Sequence, residues 1–240
     1  MSGALAAVAA VGLGRSDALT SRPLVLMLVM AGLSLLPFVL LLMTSFVKIA
    51  VVLSILKGAL GTPQIPPSQV ITGLALILTF YVMAPTGERM FRAMEPALAG
   101  GNVAELSRLE NVSGLIAAAD RAKEPLREFL LKHAPARDRA LFHSLALRMR
   151  APAERIGIGD RDLQVVVPAF LTAELRRAFE IGFLLFIPFL VVDMLVANLL
   201  LALGMHMLSP TTVSLPFKLL LFVLADGWQL LLRGLVESYV

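Results

Sequence analysis

The side chains that could do chemistry are few and poorly spaced for it. His133, His143 and His206 lie too far apart for a His-x-x-x-His metal pair, and neither a Gly-x-Ser-x-Gly elbow nor a phosphate loop occurs. With no cysteine there is no disulfide, thiolate nucleophile, iron–sulfur cluster or cysteine zinc site, and the redox compartment is unreadable. Gly157-Ile-Gly-Asp160 matches the Gly-x-Gly-Asp pattern of intramembrane aspartyl proteases, but Glu154, Arg155, Arg161 and Asp162 crowd it. Such a segment does not enter a bilayer, so a solvated turn is expected. No catalytic, cofactor or metal site is expected from these motifs.

More telling are the ionisable residues inside apolar runs, each costing on the order of 3 kcal/mol at a helix centre unless partnered. Arg176 and Glu180 stand at i and i+4 and share one helical face. Lys218 stands alone between uncharged runs, and Glu180 is its expected opposite charge, either within the chain or between neighbouring copies. Asp193 and Asn198 are expected as buried polar residues that hydrogen-bond another helix or backbone. The competing reading, a transporter that uses Asp193 as a coupling site, requires repeated halves with interrupted helices. The two apolar halves here share no obvious repeat.

These positions must be held by a membrane-type architecture. Of 240 residues 58% are hydrophobic and only 16% charged, and the mean hydropathy is +0.84, outside the range of soluble domains. The net charge of +4 and basic pI say little about partners, because 24 of the 38 charged side chains fall in residues 88–162. Acidic and basic residues alternate there with no interleaved aromatics, which argues for a solvated surface and against nucleic acid. The expected organisation is all-α and polytopic: an N-terminal extension (1–22), a first hydrophobic hairpin (23–87), a small polar helical domain (88–162) and a second hydrophobic hairpin (163–240).

About 20 apolar residues cross the hydrocarbon core, which predicts four segments near 23–45, 68–86, 180–204 and 212–234. Residues 46–57 either extend the first or form a re-entrant piece. Lys48 and Lys57 in the short first connection favour a cytoplasmic side there, which puts the polar block outside. Residues 1–14 lack a basic leading region, so a mobile extension is expected rather than a signal peptide. In the polar block Pro125 is expected to open a helix, with Leu126, Phe129, Leu130 and His133 on one face. Leu141, Phe142, Leu145 and Met149 share another face.

Two loops carry distinctive local chemistry. The first, Gly58 to Gln69, contains Gly61, Pro63, Pro66 and Pro67, whose prolines forbid continued helix and stiffen the turn. The second, Leu203-Gly-Met-His-Met-Leu-Ser-Pro210, brings Met205 and Met207, polarizable side chains that fill irregular gaps. In one copy they are packing; repeated around a ring they make a deformable apolar plug.

Leu53 to Pro67, Gly73 to Phe80, Phe179-Glu-Ile-Gly-Phe183, Pro188 to Asp193, Leu203-Gly-Met205 and Ser214 to Trp228 together resemble one family. It is the export-apparatus R subunit of type III secretion systems (SctR/YscR/HrcR), counterpart of flagellar FliP and its MopC and SpaP relatives. The likeness covers roughly residues 23–240, and the wording around Lys48 and Ser214 is closer to the injectisome branch than to the flagellar one. The resemblance implies a noncatalytic core subunit, in a homo-oligomer that is pentameric in the family, assembled with S and T subunits at the bacterial inner membrane. Unfolded proteins pass through its centre, with the U switch protein and the V export gate nearby. It also implies a methionine gasket at Met205 and Met207, here with His206 where the family usually has methionine. Finally, it implies that apolar helices can be buried by neighbouring subunits instead of lipid, with Glu180 and Lys218 paired between subunits.

Overall fold

The computed structural model describes residues 23–62, 66–98, 112–151, 155 and 157–240, and these form eight α-helices with no strand among them. They are α1 (Pro23–Leu42), α2 (Phe46–Ala59), α3 (Ser68–Leu98), α4 (Val112–His133), α5 (Ala136–Arg148), α6 (Leu163–Ala202), α7 (Pro210–Leu224) and α8 (Gly227–Glu237). The all-α, membrane-type expectation holds: α3 and α6 are long and apolar enough to cross a membrane, and there are up to four spans if each bent pair counts as one. The bent pairs are Met30–Leu42 with α2, at 69°, and α7 with α8, at 60°.

Helix α2 is the hub. Its Ile49, Val52, Leu53 and Leu56 recur at helical spacing and are buried against Ile71 and Ala75 of α3, Ala178 and Phe189 of α6, and Phe222, Leu231 and Leu235 of α7 and α8. Residues 46–57 thus lie in a core helix bent 69° from α1, a geometry that suits either a broken span or a re-entrant piece. A Cβ at Gly182 would overlap the Ile55 side chain, so the Glu-Ile-Gly sequence there is what lets α6 and α2 touch.

A second cluster joins the polar block to the apolar helices. Leu126, Phe129 and Leu130 of α4 pack with Met43, with Val166, Ala169 and Phe170 of α6, and with Tyr239. The expected α4 face is buried, but Pro125 lies inside the helix and does not open it, because the helix already starts at Val112. Helix α3 continues past Gly87 to Leu98, and Arg89 pairs with Glu128 of α4 at 3.3 Å. On α5 only part of the expected face is covered: Leu141, Leu145 and Met149 are exposed. Gly157 has φ +105° and Gly159 N–H donates to the Asp162 carboxylate at 2.9 Å, so the segment after α5 is the expected turn.

The α7–α8 bend has a local cause. Asp226 sits in the left-handed region at φ 50°, a conformation Asp tolerates better than most residues. A Cβ on the following Gly227 would overlap the Phe222 ring, which lies edge-on to Trp228 at 5.4 Å. The Ala-Asp-Gly-Trp sequence thus encodes a tight 60° bend closed by two aromatic rings.

Candidate functional site

The α6–α7 connection is built from backbone rules. Gly204, at φ +72°, follows the last turn of α6; its N–H bonds Leu201 O at 3.1 Å and the Met205 N–H bonds Leu200 O at 2.9 Å. That pair of bonds is a Schellman cap, and it explains why glycine precedes the methionine. On the far side Ser209 is extended and Pro210 occupies the first turn of α7, with Thr212 and Val213 N–H bonding Ser209 O. Between these two stops the chain presents Met205, His206, Met207 and Leu208 outward. All four are exposed, Met207 by 98%. Beneath the loop an apolar groove of about 440 Å³ is lined by Leu195, Leu199 and Leu203 of the α6 end and by Val213 and Phe217 of α7.

One polar seam holds this hairpin. Ser214 and Lys218 are one helical turn apart on α7 and face Asp193 of α6. The Ser214 hydroxyl donates to Asp193 Oδ1 at 2.5 Å and the Lys218 ammonium to Asp193 Oδ2 at 2.6 Å. The same ammonium donates to Ala59 O at 3.2 Å, at the C-terminal end of α2 where carbonyls lack helical donors. Gly61, at φ +75°, lies against it: a Cβ there would sit 3.7 Å from Lys218 Nζ.

The expected pairing of Lys218 with Glu180 is corrected within the chain. Glu180 lies thirteen residues before Asp193, roughly 20 Å along α6 and on its opposite side, so an ammonium that reaches one carboxylate misses the other. Glu180 is exposed, near Arg176, whose guanidinium instead bonds the buried Asp138 of α5 at 2.9 Å. Asp193 does bond another helix, as expected. Among the described residues Asn198 bonds no other helix: it is exposed, turned about 140° from Asp193 and away from α7. In the first loop Pro67 O accepts from Val70 and Ile71 N–H and so opens α3, Pro66 is half-buried, and Pro63 lies outside the described residues.

A second seam went unread in the sequence. Lys48, 1% exposed, pairs with the fully buried Glu174 at 3.4 Å, and its ammonium lies 3.5 Å over the Tyr239 ring. The Tyr239 hydroxyl bonds Glu174 Oε2, and Arg177 bonds Oε1 of the same carboxylate at 2.9 Å. This overturns the use of Lys48 as a loop charge, because it is a core residue and carries no topological signal. The rule that exposed Lys218 as needing a partner would have found it, since Lys48 also sits in an apolar run. Among the described residues no group of three or more His, Asp or Glu is placed to hold a metal.

The profile of the FliP family matches residues 29–235. The hypersensitivity response secretion protein HrcR of Ralstonia nicotianae is 45% identical over 89% of this chain and 96% of its own length. The Yop proteins translocation protein R of Yersinia pestis is 45% identical over 89% of this chain and 95% of its own. The flagellar biosynthetic protein FliP of Pectobacterium carotovorum is 46% identical over 94% of this chain and 81% of its own.

Proposed function

The chain belongs to the FliP family, whose relatives are secretion and flagellar export components, and from that premise we propose that it is a core subunit of a type III secretion export apparatus. In this reading several copies, five as in the family, assemble with S and T subunits into a bacterial inner-membrane portal for unfolded effector proteins. The U switch protein and the V export gate lie nearby, and residues 88–162 face the periplasm. Energy comes from a separate ATPase and the proton gradient.

The observation that carries this is the Schellman-capped loop. It presents two thioethers and His206 at the end of a 40-residue helix, exposed among the described residues. A helix of that length spans roughly 60 Å, about twice a hydrocarbon core, so lipid alone does not cover it. Exposed apolar residues run along α6 from Phe179 to Leu203 and along α7 from Phe217 to Leu224, and neighbouring subunits are the proposed cover. Copies arranged around an axis would bring the Met205 and Met207 side chains together as a seal that excludes ions at rest and deforms around a passing chain. Pairing of Glu180 across a subunit contact is part of the same proposal.

Because the chain has no cysteine, Met207→Cys gives a single thiol for crosslinking. In complexes assembled with S and T subunits the expected result is crosslinked multimers of this chain, and crosslinks to an arrested substrate. Monomers alone, with normal secretion, would refute the loop's placement. The 46% identity to a flagellar protein supports a flagellar export-gate subunit as the second reading. Expression in strains lacking either system's own subunit decides between them by which one regains export.

A further inference from the structure

The residues after α8 are held more tightly than any function assigned so far requires. Tyr239 is buried between α2, α4 and α6: its ring stacks on Phe129 at 6.1 Å, meets His133 edge-on at 5.1 Å, and carries the Lys48 ammonium on its other contacts. Its hydroxyl reaches Glu174 and, at 3.4 Å, Ser45 O. Lys132 of α4 donates to Val240 O at 3.0 Å. Burial and the neighbouring Glu174 push the Tyr239 phenol well up, so it stays a hydrogen-bond donor.

His133 is the unsettled member of this cluster. It is buried, and its Nε2 has no hydrogen-bond partner among the described residues. The groups around it are mostly cationic. Lys48 comes from α2, Arg177 from α6 and Lys132 from its own helix, while the one close carboxylate, Glu174, is already engaged by Lys48, Arg177 and Tyr239. Glu88 and Arg89 of α3 and Glu128 of α4 face it across a cavity of about 780 Å³ that also borders Lys132, Tyr239 and Val240.

We propose that residues 238–240 form an acid-released latch: a proton on His133 expels the Tyr239 ring from its slot and frees these last residues from α2, α4 and α6, while α8 stays anchored by Leu231 and Leu235. A charged imidazole would need an acceptor at Nε2, which the slot lacks, and would add a fourth cation to Lys48, Lys132 and Arg177. In the closed latch burial, then Lys132, Lys48 and Arg177, lower the His133 pKa to about 4. Free of the slot it returns toward 6.5, so closure is complete above that value and is lost progressively as pH falls toward 4. At pH 5 the ratio of closed to open latch falls by up to about 30-fold, less where water screens the ring. The inference concerns contacts within one chain and stands apart from the portal reading.

Hydrogen exchange of the full chain in detergent tests it, read at residues 238–240 and normalised to intrinsic rates at about pH 7.5 and 5. The expected wild-type result is a roughly tenfold or greater loss of protection at the lower pH, with α3 unchanged. His133→Gln, which cannot charge, is expected to stay protected at both values. Should that variant lack protection already at the higher pH, His133→Phe, which keeps an uncharged ring between Phe129 and Tyr239, replaces it in the same comparison. Wild-type protection that is unchanged by acid, or acid loss that persists in the uncharged variant, would overturn the latch.

Discussion

Replacing Lys48 tests whether the buried seam is an interacting unit. At 3.4 Å from Glu174, a full charge pair in an effective dielectric of 20 is worth about 5 kcal/mol before desolvation. The cation over the Tyr239 ring adds about 1–2 kcal/mol. Against this, removing the ammonium also removes its own burial penalty, and Arg177 still serves Glu174. Lys48→Met is therefore expected to cost about 2–3 kcal/mol of unfolding free energy. Glu174→Gln, which strands two cations, is expected to cost about 3–5 kcal/mol. The double variant leaves no charge unpaired at Lys48 and is expected to recover about 2 kcal/mol of the summed losses. Unfolding of the detergent-solubilised chain, followed by the fluorescence of Trp228, its single tryptophan, gives all three values. Losses in the double variant that equal the sum of the singles within about 0.5 kcal/mol would refute the coupling.

Lys218→Glu should place two carboxylates together and abolish assembly in native mass measurements. Adding Asp193→Lys is expected to restore it and adding Glu180→Lys is not; the reverse outcome would return Lys218 to the pairing first read from the sequence. Gly182→Val forces a Cβ into the Ile55 side chain and is expected to cost about 2–3 kcal/mol, partly recovered by Ile55→Ala, with thermal unfolding as the check. His206→Met is expected to lower ion leak through the loop, because a polar ring between Met205 and Met207 is replaced by a third apolar thioether. Liposome flux curves that coincide for the two proteins would dismiss that role.

Much of the fold was legible because hydropathy reports surface that must be covered. The long apolar runs became α3, α6 and the bent pairs, and the Gly157–Asp160 turn followed from its crowded charges. What composition could not show is which charge meets which. That Lys218 needs a partner is legible from its apolar run, but that Asp193 and not Glu180 supplies it within the chain is not, since helical phase between separate helices is set by packing. Lys48 was misread for a related reason: two lysines near a short connection satisfy a topology rule equally whether they face water or a buried glutamate. Pro125 shows the limit of local rules, because a proline favoured at a helix start is also tolerated inside a helix whose other face is well packed. The methionine loop was recognised by its residues, while the reason for its glycine emerged only from the two capping bonds.

Helix α6 is pinned twice along its length, by Glu174 to α2 and by Asp193 to α7. Between those pins lies Pro188, which has no N–H to give the Leu184 carbonyl. Flexure of this long rod therefore concentrates in the interval between the two anchors. Its outer third, with the sulfur-bearing tip, would tilt as a unit while the base stays seated, so a load pulling on the tip is taken up by one compliant joint rather than dispersed through the core.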